Sequence, residues 1–383
     1  MLLSLIVYIG TGFLLYLLAT NYVRRNSYDV KHYNQSLPFA SFEIIISLLL
    51  FALVAGLRYN TGVDYLSYLE DYLQISHGGE PYHDYEPIFM GIMRLLAHNR
   101  IHYSVFFAFC AFLQLFFVYY ALKDYRYLLP YVGLYIMLGP LFMIWMNGIR
   151  QCIVVCFFLF LSNRILKKDV IWYVIGIVIA SYIHKSALFL LPLFLIVYVP
   201  AKWFYNSKNN LLILVSCIIL GMSPLWLEHI TILQSLFEKI GYVSYGLEID
   251  RLVSEENLEA TAMGPGRIML LLLDVMLILL YPKVSAFYKS RFIDQSFIIY
   301  FLGTCVYNLL VNTSHLFLRP VTYLTVFILV VLPATLVYLK SNKHKWQFYF
   351  ISGFAYIYVV YAVVRAWYLE GVNSTSLYHF FFM

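Results

Sequence analysis

Three arginines and a histidine at the ends of apolar runs, with two carboxylates in a long connection between runs, are of types that suit the binding and handling of negative charge. Arg150 lies in the tight turn Met146-Asn147-Gly148-Ile149-Arg150-Gln151, which joins two apolar runs with almost no loop. A cation held at such a depth is costly unless something anionic pairs with it. Guanidinium binds phosphate or carboxylate through a planar two-point fork. An internal ion pair, or an anchor reaching for the interface, accounts for Arg150 as well. His184-Lys185 forms a second tight turn, where a histidine serves as donor, as base or simply as an interfacial residue. Arg58 opens a long connection and Arg319 opens a late apolar run. Asp64 and Glu86 are carboxylates able to take a proton from a hydroxyl. Both also stand where a helix N-cap is favoured.

The elements that must position these residues follow from hydropathy. After Asp64, the residues Tyr65, Tyr68, Leu69, Tyr72 and Leu73 recur at helical spacing, predicting a helix that lies on a membrane surface with one apolar face. Glu86-Pro87 opens a second helix with proline at its first position, carrying Ile88, Phe89, Ile92 and Met93. Elsewhere apolar runs fall near 2–20, 40–57, 101–122, 131–146, 149–163, 170–183, 186–199, 210–227, 267–281, 295–311, 319–339 and 346–364. Of 383 residues, 62% are hydrophobic and 12% charged, about half the charge of a soluble domain. The 36 tyrosines suit membrane interfaces. The expectation is an all-α integral membrane protein of about twelve transmembrane helices, forming one polytopic domain over 1–383. The loops 58–100 and 228–266 contribute to the site.

Charge placement orients the chain. Arg24, Arg25 and Lys31; Lys123 and Arg126; Arg164, Lys167 and Lys168; Lys202 and Lys208; Lys283, Lys289 and Arg291; and Lys340, Lys343 and Lys345 occupy alternate short connections. That face is expected to be cytoplasmic, with both termini and both long loops outside. The candidate charges then gather on the outer face from distant parts of the chain, whereas ion carriers hold theirs near the midplane. Such a cluster suits an anionic, lipid-borne headgroup; no nucleic acid is expected as a partner. Asp274, inside a run, should face a partner within the bundle. The five cysteines all lie in apolar runs without zinc spacing and read as packing residues.

The motifs Arg58-Tyr59-x-x-Gly62-x-Asp64-Tyr65-x-x-Tyr68, Glu86-Pro87-x-Phe89, Ile149-Arg150-Gln151 and His184-Lys185-Ser186-Ala187, in this order, resemble those of the EpsG family. Leu318-Arg319-Pro320 with Tyr323, and the tail Leu377-Tyr378-His379-Phe380, also look like that family. The resemblance spans nearly the whole chain. It implies an O-antigen-polymerase-like protein of bacterial polysaccharide assembly, with a GT-C-like helical bundle and a site on the outer face of the cytoplasmic membrane. The implied reaction joins oligosaccharide units carried on undecaprenyl diphosphate; a ligase, a single-sugar transferase and a flippase or exporter are the alternatives. Asp64, Glu86 and His184 are the implied catalytic candidates, with Asp64 ranked first by analogy. Arg58, Arg150, Gln151, Arg319, Tyr65 and Tyr323 would bind diphosphate or sugar. No cofactor and no metal are expected, since there is no Asp-x-Asp; Glu248-Ile249-Asp250 is the nearest approach. Membrane lipid and a chain-length regulator are the expected further partners.

Overall fold

The computed structural model describes residues 1–25, 41–223, 264–312, 318–371 and 374–382. Lys31, His315, the segment with Glu248 and Asp250, and almost all of the expected loop 228–266 lie outside the described residues. The described chain is helical throughout, with one isolated β-bridge, and packs as two compact units. One unit comprises Met1–Val197 with Leu332–Met383, the other Tyr198–Val331, where a single domain is expected from sequence.

In the first unit the helices are α1 (Leu2–Arg25), α2 (Phe42–Gly56), α3 (Tyr65–Ser76), α4 (Pro87–His98), α5 (Tyr103–Ala121), α6 (Leu129–Leu138), α7 (Leu141–Asn147), α8 (Ile149–Leu166) and α9 (Val170–Ser181). A 3-10 stretch, Lys185–Tyr198, and the long helix Lys345–Glu370 complete it. Local chemistry sets many of the ends. Ser41 accepts from the Ile44 N–H at the start of α2, and Asp169 accepts from the Trp172 N–H at the start of α9. Gly139-Pro140 separates α6 from α7, because proline cannot continue the hydrogen-bond ladder; the segments 126–138 and 141–147 meet at 64°.

The second unit contains α10 (Ser207–Gly221) and the helices Pro265–Tyr288, Arg291–Leu310 and Thr322–Thr325. Asp274 meets its expected partner there, accepting a hydrogen bond from the Tyr300 hydroxyl.

Each expected apolar run is mainly helical over its described residues, but several of these helices are shorter than a full span. Among the described residues seven helices are long and apolar enough to cross a membrane, eight if the bent pair counts as one. Helix α2 has 15 residues, which at 1.5 Å each cover about 22 Å of a core about 30 Å thick. The 14 residues of Lys185–Tyr198 interrupt their own ladder at Pro192, yet the steeper 3-10 rise carries them about 28 Å.

Helices α3 and α4 are too short and too one-sided to span, and they pack on α5 and the start of α8. Tyr65, Tyr68, Leu69, Tyr72 and Ile75 of α3 join Phe89 and Met93 of α4 in one buried cluster with Phe106, Phe107 and Ile149. Each ring buried in this way contributes roughly 1.5–3 kcal/mol. The buried face of α3 departs from the expected stripe in one respect. Leu73 is 39% exposed, while the carboxylate-bearing Asp71 is fully buried.

Candidate functional site

Glu86 lies at the centre of the polar residues that the fold brings together in the first unit. It stands at the N-cap position of α4 but makes no capping hydrogen bond with its side chain. Its carboxylate instead bridges two other elements. Oε2 accepts from Arg150 Nη1 at 2.6 Å, at the start of α8. Oε1 lies 3.1 Å from His184 Nδ1 and accepts from the Lys185 backbone N–H at 3.0 Å, both just past the end of α9. The α4 backbone is tied to the same place, since the Ile88 N–H donates to the Tyr182 carbonyl at 2.9 Å.

The pKa of Glu86 reflects that arrangement. Burial pushes it up, but the His184 hydrogen bond, the Arg150 charge and the Lys185 N–H outweigh burial together and hold it at about 2. Glu86 is therefore an anion at neutral pH and a weak base. In the neutral tautomer that donates Nδ1–H to this carboxylate, the lone pair of His184 is on Nε2.

Arg150 is half-enclosed by aromatic faces. Its guanidinium carbon lies 4.6 Å from the centre of the Tyr85 ring and 5.8 Å from that of Phe89. Nε points to the Tyr68 hydroxyl at 3.5 Å, and Nη2 makes no hydrogen bond among the described residues. The N-cap residue of α8 is Gly148, which brings no side chain to cap the helix start, and the helix dipole there is positive. One edge of a cationic fork beside a helix start with glycine at its N-cap suits an oxyanion.

A residue that sequence reasoning missed holds this aromatic wall in place. Asp71 accepts from the Tyr85 hydroxyl at 2.5 Å and from His83 Nδ1 at 2.8 Å through one oxygen, and from the Tyr82 N–H at 2.6 Å through the other. Burial and the Asp71 hydrogen bond raise the Tyr85 phenol, which stays protonated. The available signal was an acidic residue between Tyr68 and Tyr72 on the face of α3 turned to the core.

Other expected residues are placed differently. Arg58, read from sequence as an anion ligand, is 1% exposed and turned inward. It donates to the carbonyls of Thr61, Ala55 and Met146, and lies over the rings of Tyr65 and Phe107. Burial lowers it to about 10, with its charge held by carbonyl dipoles and ring faces. Tyr65, expected to stack on sugar, instead stacks on Phe107 at 4.7 Å with its hydroxyl donating to the Arg58 carbonyl. Asp64 is partly exposed at the N-cap position of α3 and makes no capping bond; its backbone N–H donates to Asn147 Oδ1 at 2.9 Å. Gln151 is buried beside Arg150 in the chain. Arg319 and the buried Tyr323 belong to the second unit. That unit has another cation the sequence reading did not name, Arg267, whose Nη1 donates to Asn312 Oδ1.

The tail completes the scaffold. Arg58 pairs with Phe380 in the isolated bridge, the Tyr59 N–H donates to the His379 carbonyl, and the Phe381 N–H donates to Leu57. The Gly62 N–H donates to the Thr375 carbonyl at 2.7 Å. Gly62 has φ +97° and packs so close to Met146 that a Cβ would lie 2.9 Å from its carbonyl oxygen, so no other residue fits without strain.

These features define a polytopic helical membrane protein with a charged cluster where the start of α4 meets the start of α8 and the end of α9. The profile of the EpsG family matches residues 42–380, and the chain belongs to that family. This makes it a polysaccharide-polymerase-like membrane protein. No curated protein and no solved structure matches it.

Proposed function

We propose that the protein polymerises surface-polysaccharide repeat units, such as those of O-antigen, capsule or exopolysaccharide, on the outer face of a bacterial cytoplasmic membrane. The donor is an oligosaccharide on undecaprenyl diphosphate and the acceptor is a hydroxyl of the next lipid-linked unit. The observation that carries this reading is the bridge from Arg150 through Glu86 to His184, with the Nη2 edge of Arg150 left open.

In this mechanism the acceptor oxygen bonds to the anomeric carbon as the bond from that carbon to the diphosphate breaks. The diphosphate leaves with the bonding pair, and Arg150 with the α8 N-terminus balances its growing charge. The acceptor proton passes to His184 Nε2, and Glu86 stabilises the resulting imidazolium without itself taking the proton. Tyr68 and Tyr85, stacked at 5.8 Å, form the wall beside which the sugar would lie. Asp64 is the competing base, and Arg319 and Tyr323 are the second unit's candidates for substrate contact. Arginine supplies the charge that a divalent ion supplies elsewhere, so chain growth is expected to be metal-independent.

The deciding experiment adds purified protein to a synthetic lipid-diphosphate oligosaccharide. A ladder of lengthening products on a gel, unchanged by EDTA, supports the proposal. Transfer of a single unit without a ladder indicates a ligase or single-sugar transferase, and no transfer at all indicates a transporter. Loss with EDTA that Mg²⁺ or Mn²⁺ restores refutes metal independence.

A further inference from the structure

The opposite end of the first unit holds a cavity that the proposed reaction leaves unused. Helix α8 leads there from Arg150 to Asn163, whose amide donates to the Ala121 carbonyl at the end of α5. Among the ends of α1, α6 and the helix Ile328–Ser341 lies a cavity of about 200 Å³. Tyr16, Tyr127 and Tyr131 form its walls, and the exposed Arg24 and Lys340 stand at its rim. Thr20 also lines it, and the Thr20 hydroxyl is buried with no hydrogen-bond partner among the described residues.

Two neighbouring arginines are engaged elsewhere and do not reach the cavity. Arg25 pairs with Glu43 at 2.9 Å, while Arg126 donates to the Lys123 carbonyl and the Tyr22 hydroxyl. Arg24 and Lys340 have no ion-pair partner among the described residues. Two cations without an ion-pair partner and a hydroxyl without a hydrogen bond, among the described residues, line one cavity with aromatic walls and match a phosphate carrying an organic substituent. The same ridge of α1 continues through Leu17 and Phe13, both more than two-fifths exposed, as an apolar track leading away from the rim.

We propose that this cavity binds the phosphate headgroup of an anionic membrane lipid. The phosphate sits between Arg24 and Lys340, a headgroup oxygen meets the Thr20 hydroxyl, and the hydrocarbon chain runs along Leu17 and Phe13. A basic pocket between helix ends, open to an apolar track, is suited to such a ligand. The site is separate from the Glu86 centre and does not depend on the proposed reaction.

The test is native mass spectrometry of the purified full chain, titrated with phosphatidylglycerol and, separately, phosphatidylcholine. Phosphatidylglycerol should bind at one tight site and phosphatidylcholine should not. Arg24→Gln and Lys340→Gln should each weaken binding about fivefold and together about 30-fold. Thr20→Val should weaken it with both cations present. Lys345→Gln, a charge at the same end that does not line the cavity, should leave it unchanged. The exchange Arg24→Lys with Lys340→Arg should retain binding, which separates loss of charge from loss of fold. Equal affinity for both lipids overturns the proposal, as does full binding by the double glutamine variant or an equal loss with Lys345→Gln. Displacement by millimolar inorganic phosphate overturns the lipid assignment in favour of a soluble phosphate.

Discussion

Arg150 presents one guanidinium edge to Glu86 and leaves another open, and only that geometry makes its identity matter. Arg150→Lys keeps the charge and loses the fork. If the open edge serves the diphosphate, chain growth should fall about 10²–10³-fold at unchanged membrane abundance, the usual worth of one transition-state donor. A purely internal ion pair would lower abundance instead, so polymer length and protein level are measured together. His184→Ala should abolish growth while donor binding persists. Asp64→Asn should be mild if His184 is the base; abolition by Asp64→Asn alone would move that role to Asp64. Glu86 supplies a pH test. Its native pKa is depressed from 4.5 to about 2, so the native site binds a proton less tightly than the unfolded chain. The stabilisation from Glu86 is therefore complete above pH 4.5 and drains away as the pH falls through about 2. The melting temperature of wild type should exceed that of Glu86→Gln above pH 4.5, with the gap closing in acid.

Among the elements, the tail segment 374–382 joins parts of the chain more than 300 residues apart. Tyr378 donates through its N–H to Ser4 Oγ and through its hydroxyl to the Val54 carbonyl, while Leu377 accepts from Thr61. The loop so held carries Arg58 and leads straight into α3, which presents Asp71 to Tyr85. Removing residues 374–383 should therefore impair chain growth although the tail supplies no catalytic group. Supplying those residues as a separate peptide should restore part of the activity, measured on the same product gel. Normal growth by the truncated chain would show that the loop holds its form unaided. Tyr85→Phe tests the next link, because it keeps the ring under Arg150 and loses only the Asp71 bond. A rise in KM larger than the fall in kcat is expected if that bond aims the aromatic wall at the sugar.

For the whole molecule, the question is which end of the bundle faces outside. The site loops and the basic connections occupy opposite ends of the helices of the first unit, as the alternation of charge requires. Cysteines introduced at Ser76 should react with an impermeant reagent in intact cells, and those at Ser207 and Ser341 should not. The reverse pattern would put the site in the cytoplasm and rule out a reaction on exported units.

Composition and periodicity sufficed for the membrane class, the helical fold and the helix after Asp64, because each follows from solvent and short-range spacing, while the family was legible in the resemblance of its ordered motifs. Arg150 and His184 could be named from sequence because tight turns confine them, and Glu86 because it is a carboxylate where a helix opens at Pro87. Their joining could not, since Glu86 lies 64 residues from Arg150 and 98 from His184 in the chain. The direction in which Arg58 points is likewise a tertiary fact. An arginine beyond a helix end faces solvent, ligand or backbone with equal ease until something fills the space, and here Met146, 88 residues away, supplies the carbonyl that turns it inward. Asp71 illustrates the same limit in reverse. Its burial is tolerable only because Tyr82, His83 and Tyr85 fold back to satisfy it, and that return of the chain is written in packing rather than in local pattern.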